Sequence, residues 1–264
     1  MTAAKEPSPL VTVVMPVFNG ARTVRQSIAS VLDQTCRDLE LIVVDDGSTD
    51  ETVGIVDDIR RYDRRVRVVR RERSGGPAAA RNSGIAEARG RFLAFCDADD
   101  LWLPDKLARQ LELAMTDGAP LVYCGYHRID ADYAGNATDF HSEGRVVRVP
   151  TTLTYAELLR RNVIGNLTAV VDTHLTRPVS MPDVPGAEDW ALWLRIVRES
   201  GAAVGIDEPL ALYRASQPGS HSADRWRAVR AVWHVLRRQE KLSVPSAAVH
   251  LLTGVVAALR KNQI

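Results

Sequence analysis

The sequence predicts an α/β fold: a mostly parallel sheet flanked by helices, followed by a C-terminal helical extension. Two observations carry that expectation. Short β-branched runs alternate with helical periodicity through the first half, and the runs are apolar almost throughout, as strands covered on both faces must be. A third observation sets the extension apart: beyond residue 221 the chain becomes basic and amphipathic.

The elements follow in order. Strand-like runs lie at residues 10–17, 39–45, 66–69 and 91–96, with helical patterns at 21–33, 49–60 and 78–88 between them. Val11-Thr-Val-Val-Met15 shows the near-continuous apolar character of a central strand. Ser48-Thr-Asp-Glu51 has capping-box spacing and is expected to start the second helix. Pro104-Asp105 suits the first turn of another. Residues 121–150 read as strands and turns, and 154–161 and 188–198 return to helical spacing, with Trp190, Leu194 and Val197 on one side. Residues 209–213 suit a last strand.

The extension, residues 222–264, carries eight Lys/Arg against Asp224 and Glu240, with Val249, Leu252, Val256 and Leu259 at helical spacing. That pattern serves equally a membrane-surface helix or a terminal helix packed on the core.

Bulk composition narrows the function. With 264 residues, 45% hydrophobic and 25% charged, the chain suits one large globular core with an appendage and excludes a disordered or fibrous protein. A net charge of +1 gives no field for nucleic acid. Cys36, Cys96 and Cys124 form no C-x-x-C, which argues for buried thiols rather than a zinc site or disulfides. The N-terminus has no apolar leader segment and no run is long enough to span a bilayer, so a cytoplasmic protein is expected. On that basis the triplets Asn136-Ala-Thr and Asn166-Leu-Thr carry no weight as glycan acceptors.

Three acidic clusters fall where a doubly wound sheet places ligands, beyond strand C-terminal ends. They are Asp45-Asp46-Gly47-Ser48, Asp97-Ala98-Asp99-Asp100 and Glu188-Asp189. Turns and helix starts also favour acids, which explains any one cluster without ligands. Three carboxylates in four residues repel, however, unless a cation joins them. Hard oxygen donors select Mg²⁺ or Mn²⁺ shared with substrate phosphates. The chain lacks G-x-x-x-x-G-K-[ST], and its first strand ends in Pro16-Val-Phe-Asn-Gly20 rather than G-x-G-x-x-G. A P-loop enzyme and a dinucleotide dehydrogenase are therefore excluded.

Five stretches together resemble the family-2 glycosyltransferases with a GT-A, Rossmann-like fold, over roughly the first 215 residues. They are Val13-Val-Met-Pro-Val-Phe-Asn19, Leu41-Ile-Val-Val-Asp-Asp-Gly-Ser-Thr-Asp50, Ala80-Arg-Asn-Ser-Gly84, Phe95-Cys-Asp-Ala-Asp-Asp-Leu-Trp102 and Glu188-Asp-Trp-Ala-Leu-Trp-Leu-Arg195. The resemblance implies a glycosyltransferase domain over residues 1–221, with a nucleotide-binding half (1–118) and an acceptor-binding half (119–221), before the tail at 222–264. It implies that Pro16, Val17 and Asn19 line the nucleotide pocket. Asp46, with Asp45 beside it, would bond the base, and Arg81 would lie near base or diphosphate. Asp97 and Asp99 would form the D-x-D pair, Asp99 on the metal and Asp97 nearer the ribose. Asp189 would be the catalytic base, with Glu188 as the alternative or as the neighbour that raises its pKa. Arg214 and His221 would complete the diphosphate or metal site.

The implied reaction is metal-dependent, inverting transfer from a nucleotide-diphosphate sugar, UDP favoured, to a hydroxyl acceptor in cell-envelope polysaccharide or glycoconjugate synthesis. The acceptor would be a lipid-linked glycan or other glycoconjugate, met at the inner membrane face. Alternatives are a sugar-nucleotide pyrophosphorylase, disfavoured by the missing glycine-rich basic loop, and a catalytically silent sugar-nucleotide or polysaccharide-binding module. Trp190 and Trp193 serve as a sugar platform or as core, and Trp102 has the better claim to face a ligand.

Overall fold

The computed structural model describes residues 8–141, 144–214 and 225–261, without the side chains of Arg225 and of residues 255–261. His221 and the expected 221/222 boundary lie outside the described residues, as do the side chains of Val256 and Leu259. Ten strands join one sheet: β1 (Val11–Val17), β2 (Leu39–Asp45), β3 (Val66–Arg70), β4 (Phe92–Phe95), β5 (Leu101–Trp102), β6 (Leu121–Ile129), β7 (Val146–Val147), β8 (Thr152–Thr154), β9 (Val170–Asp172) and β10 (Ala202–Arg214). The helices are α1 (Val24–Leu32), α2 (Thr52–Tyr62), α3 (Gly76–Ala86), α4 (Lys106–Asp117), α5 (Tyr155–Arg160), α6 (Glu188–Ser200), α7 (Arg225–His234) and α8 (Val244–Lys261). A wider helical turn, Val235–Gln239, extends α7.

The strand order is β3-β2-β1-β4-β9-β6-β10-β5, with β7 on β6 and β8 on β10. Strands β3, β2, β1 and β4 are mutually parallel, β9 runs antiparallel to both β4 and β6, and β10 is parallel to β6. The chain leaves β1 toward β2 on one side and later returns to β4 on the other. The C-terminal ends of these strands therefore open a crevice at a topological switch point. Strands β1, β2 and β4 are apolar at nearly every position because helices cover both faces, and only Thr12 and Glu40 among their inner residues are polar. Thr12 Oγ1 donates to Glu40 Oε1 at 2.8 Å, which satisfies both at the end of the sheet remote from the crevice. Gly84 lets α3 approach β1: a Cβ there would stand 2.5 Å from Val14 Cγ1.

Several local expectations are corrected. Ser48–Glu51 does not form a capping box. Ser48 Oγ instead accepts from Asn19 N–H, and Asp50 Oδ1 accepts from Thr52 N–H. The capping box lies at α5, where Thr154 and Glu157 bond reciprocally. Pro104 precedes α4, which begins at Lys106. The last strand begins at Ala202 rather than 209, because a shift in the β6–β10 register between Ile206 and Ala211 accommodates Pro209, which has no N–H to donate. Trp102 does not face a ligand. It is fully buried, its Nε1 donates to Leu167 O at 2.9 Å, and Lys106 Nζ stands 3.8 Å over its ring. Trp190 and Trp193 are both core.

The tail packs on the domain. Ala231, Val235, Leu236 and Ala247 join the larger apolar cluster, and Leu251 packs against it. Val249 and Leu252 on the opposite side of α8 stay 59% and 64% exposed, so the docking face is not the stripe the sequence singled out. Glu240 clamps the junction: its Oε2 accepts from both Tyr155 OH and Arg198 Nη1, and its side chain is 2% exposed. Glu240→Ala orphans Tyr155 and Arg198 and should destabilise the fold by roughly 1–3 kcal/mol. Urea unfolding checks this, and an unchanged midpoint would show that the tail is held without the clamp.

Candidate active site

The crevice floor is built by the ends of β1 and β2. Pro16 and Val17 pair in register with Val44 and Asp45. Asn19 then takes a left-handed conformation (φ 51°), which an Asn tolerates, and turns the chain toward the β2 loop. There its Oδ1 accepts from Thr49 N–H at 2.8 Å, while Gly20 and Ala21 N–H groups donate to Thr52 Oγ1 and Asp50 Oδ2. Gly47 (φ 85°) makes the matching turn after β2. The two loops thus hold each other.

Asp45 is buried and accepts from Ser48 N–H at 3.2 Å. Asp46, also buried, accepts from Ser74 Oγ (2.7 Å), from the N–H groups of Gly75 and Gly76 (2.9 Å for the latter), and from Arg71 Nη1. The sequence expects Asp46 to bond a base. In the structure its carboxylate anchors the turn that opens α3, where backbone N–H groups at a helix start favour an anion.

The acidic loop after β4 faces α3 and α6. Arg81 on α3 is 7% exposed at its side chain and spans two carboxylates. Its Nη2 donates to Asp97 Oδ1 at 2.6 Å and its Nη1 to Glu188 Oε1 at 3.1 Å. Arg81, expected near base or diphosphate, is the ion-pair centre joining the D-x-D loop to Glu188. Burial opposes its charge, but Asp97, Glu188 and Asp189 outweigh that and hold the guanidinium above its ordinary value. Asp97 also accepts from Asn166 Nδ2 at 3.4 Å. Asp99 is open to solvent on one side, yet its carboxyl is raised, first by desolvation from the surrounding protein and then by the Asp97 charge.

Glu188 and Asp189 open α6 but point to different surroundings. Glu188 is buried and fully engaged: Oε1 with Arg81, Oε2 with Gly186 N–H at 2.8 Å. Asp189 is half-buried, with Asn162 Nδ2 3.4 Å from Oδ2 and Trp190 N–H on Oδ1. Desolvation and then the Glu188 charge push its carboxyl up to about 6.

Arg214, expected at the diphosphate, is spent on the fold. Its Nε donates to Asp99 O (2.8 Å), Nη1 to Tyr133 O (2.8 Å) and Nη2 to Gln26 Oε1 (2.7 Å). A buried guanidinium surrounded by carbonyls stabilises loops, and here it braces the D-x-D turn from behind. Asp100 accepts from Arg214 N–H at 2.9 Å and completes the brace. Among the described residues, no three His, Cys, Asp or Glu side chains gather tightly enough to hold a metal alone.

Sequence reading missed Asn162 and Asn166. Asn166 stood out only as a glycan triplet, yet it is buried against Asp97, and Asn162 carried no local signal at all.

The comparisons agree with this geometry. The family model described as "Glycosyl transferase family 2" matches residues 12–169. The chain is 36% identical to the putative teichuronic acid biosynthesis glycosyltransferase TuaG of Bacillus subtilis, over 96% of this chain and 98% of that protein. It is 34% identical to the Escherichia coli UDP-Glc:alpha-D-GlcNAc-diphosphoundecaprenol beta-1,3-glucosyltransferase WfgD, over 96% of this chain and 95% of that one. Among solved structures, S. aureus TarS 1-349 in complex with UDP-GlcNAc superposes with a TM-score of 0.70 at 17% identity, covering 93% of this chain and 71% of that one. The mannosyltransferase PcManGT from Pyrobaculum calidifontis, in complex with GDP-Man and Mn2+, gives 0.67 at 20% identity, covering 97% and 76%. The fold is thus shared with solved glycosyltransferases, and the family match runs from β1 through the acidic loop to the residue before β9: the chain belongs to glycosyl transferase family 2 and has the GT-A fold.

Proposed function

We propose that the protein transfers a sugar from a nucleotide-diphosphate donor, UDP-linked in the favoured reading, to a hydroxyl acceptor with inversion, Asp189 being the base. The observation that carries this is the division between adjacent acids. Glu188 is locked by the Arg81 ion pair and Gly186 N–H, whereas Asp189 has no ion pair, bonds only Trp190 N–H and, at 3.4 Å, Asn162, and keeps a raised pKa. An acid raised by its surroundings beside one fully engaged in bonds is the one left to take up a proton near neutral pH. Cell-envelope polysaccharide synthesis is the proposed setting, since TuaG is named for teichuronic acid biosynthesis and WfgD for a diphosphoundecaprenol-linked acceptor. UDP is favoured because WfgD is named for UDP-Glc and TarS was solved with UDP-GlcNAc.

In this reading the crevice over Pro16, Val17 and Asn19 takes the nucleotide, with Asp45 and Asp46 ordering its loops. Asp189 draws the proton from the acceptor oxygen as that oxygen attacks the anomeric carbon and the diphosphate leaves from the opposite face. The donor set at Asp97 and Asp99 fits Mg²⁺ or Mn²⁺. It offers hard oxygens, the Asp99 carboxyl is raised by desolvation and then by the Asp97 charge, and a shell of few protein ligands leaves room for diphosphate oxygens and water. His221 is the further candidate ligand by sequence. Such an ion, when bound, stabilises the charge on the departing diphosphate.

Among the described residues no helix is long and apolar enough to cross a membrane. The exposed Val249 and Leu252, with Arg238 and Lys241 exposed ahead of α8, favour a surface contact with an anionic leaflet near a lipid-linked acceptor.

Five outcomes test the proposal. With metal present, the protein should slowly release nucleoside diphosphate from the matching sugar nucleotide; a full donor panel giving none would remove the transferase reading. Asp189→Asn should lower the transfer rate by ~10²–10⁴-fold with donor affinity retained, and a few-fold loss would shift the base to Glu188. The sign of the pH dependence follows from the charged form being the base: transfer should be weak below pH 6, rise through about 6 and level off above it. Asp99→Ala and excess chelator should each nearly abolish transfer, and full activity in chelator would exclude the ion. For the tail, flotation with anionic liposomes should carry the full chain at low salt, and a chain left wholly in the soluble fraction would assign the tail to packing alone.

A further inference from the structure

A cleft of about 120 Å³ lies beside Asp189, bounded by Tyr126, Arg148, Arg161 and the segment from Asn162 to Gly165. One of its walls links both sides of the site. Asn162 reaches Asp189 at 3.4 Å, and Asn166, one residue past the end of the same wall, reaches Asp97 at 3.4 Å. A molecule seated here lies alongside the segment that runs from Asp189 to the D-x-D loop, next to the carboxylate proposed above as the base. Backbone and apolar groups from Val147, Val163 and Ile164 shape the cleft, and Tyr126, edge-on to Tyr213 at 5.8 Å, offers a ring for a sugar face.

The charge of the cleft is specific. Among the described residues two arginines line it and no carboxylate does. Arg161, at the C-terminal end of α5, is exposed and makes no ion pair among the described residues. Arg148 is 66% exposed; it donates to Asp207 O at 2.9 Å and meets the Asp207 carboxylate only at 3.6 Å, which leaves most of its donors free. A neutral glycan has no use for two guanidinium groups, whereas a phosphoryl or carboxylate group matches their forked donors.

We propose that this cleft is the acceptor subsite and that Arg148 and Arg161 select an acceptor carrying an anionic group close to the sugar whose hydroxyl reacts. The assignment rests on the glycosyltransferase reading and deepens it by naming the acceptor class. The anion is supplied either by a sugar-1-diphosphate or by a uronate carboxylate, both of which present paired oxygens.

The experiment uses the full chain with saturating donor and three probes: N-acetylglucosaminyl diphosphate bearing a short alkyl chain, octyl glucuronide, and neutral octyl N-acetylglucosaminide. Transfer is followed by product formation, and binding of each probe is measured calorimetrically in the presence of nucleoside diphosphate. The expected result is use or binding of an anionic probe over the neutral one. Arg161→Ala and Arg148→Ala should each raise its KM about ten-fold, the worth of one charge-assisted contact, while the donor KM moves less than two-fold. Arg161→Glu should raise the acceptor KM further. Preference for the diphosphate or for the glucuronide identifies the source of the anion, and either supports the proposal. Equal use of all three probes, binding of neither anionic probe, or variants that leave the acceptor KM unchanged would overturn it. Donor hydrolysis in the same samples separates the two levels: if it persists while the acceptor results fail, the subsite assignment falls and the transferase reading stands.

Discussion

The organisation of the site depends on the burial of one guanidinium. Arg81 leaves water to bridge Asp97 and Glu188, and three segments far apart in sequence meet on it. A buried ion pair contributes little net stability, because desolvation offsets most of the attraction. Removing one member is different: it strands the remaining charges and costs about 3–5 kcal/mol. Arg81 is thus a positional constraint more than a source of stability. Its placement follows from α3. Gly84, one turn on, lets that helix lie close against β1 and β2, which sets Arg81 at the rim where the acidic loop passes.

The same guanidinium separates two neighbouring acids. Glu188 and Asp189 share a helix end, yet Glu188 gains Arg81 and a backbone N–H while Asp189 gains chiefly desolvation and its neighbour's negative charge. A carboxylate of ordinary pKa would be a poor base toward an alcohol. Raised to about 6, it comes closer to the pH of a working cell while remaining ionised there. In the proposed reaction the engaged acid is therefore part of what tunes the one that takes the proton.

The sequence exposes features that repeat locally and hides those made by contact. Apolar runs such as Val11–Met15 and acids at strand ends are local, and the parallel half of the sheet with its three acidic clusters could be read from them. The partners of Arg81 could not, since 16 and 107 positions separate it from Asp97 and Glu188. Nor could Asn162 or Asn166, whose roles exist only once β9 is inserted antiparallel between β4 and β6. Ser48–Glu51 misleads for a related reason: its hydroxyl serves the β1 loop instead of its own helix, because two loops in contact offered a better partner. On α8 an apolar stripe is visible in the sequence, but which of two opposite apolar faces docks is decided by the small residues Ala247 and Gly254. Ala247 is fully buried, and a Cβ at Gly254 would lie 3.2 Å from Arg160 O, so close approach is available on that side alone.

The D-x-D turn shows how rigidity and vacancy of charge are combined. Its backbone is held by Arg214 on the Asp99 carbonyl, by Asp100 on Arg214 N–H and by Cys96 N–H on Val14 O. The side chain of Asp97 is fixed by Arg81 though partly open to solvent, Asp100 is buried, and Asp99 is the most exposed of the three acids. Were that carboxylate meant only to cap the turn, it would be engaged as Asp100 is. Held on a braced backbone, desolvated on one side and repelled by Asp97, it is placed, in the proposed reaction, to gain from a cation brought with the substrate phosphates. The brace then matters for rate, because a fixed charge aimed at the leaving group needs no reorganisation during the displacement.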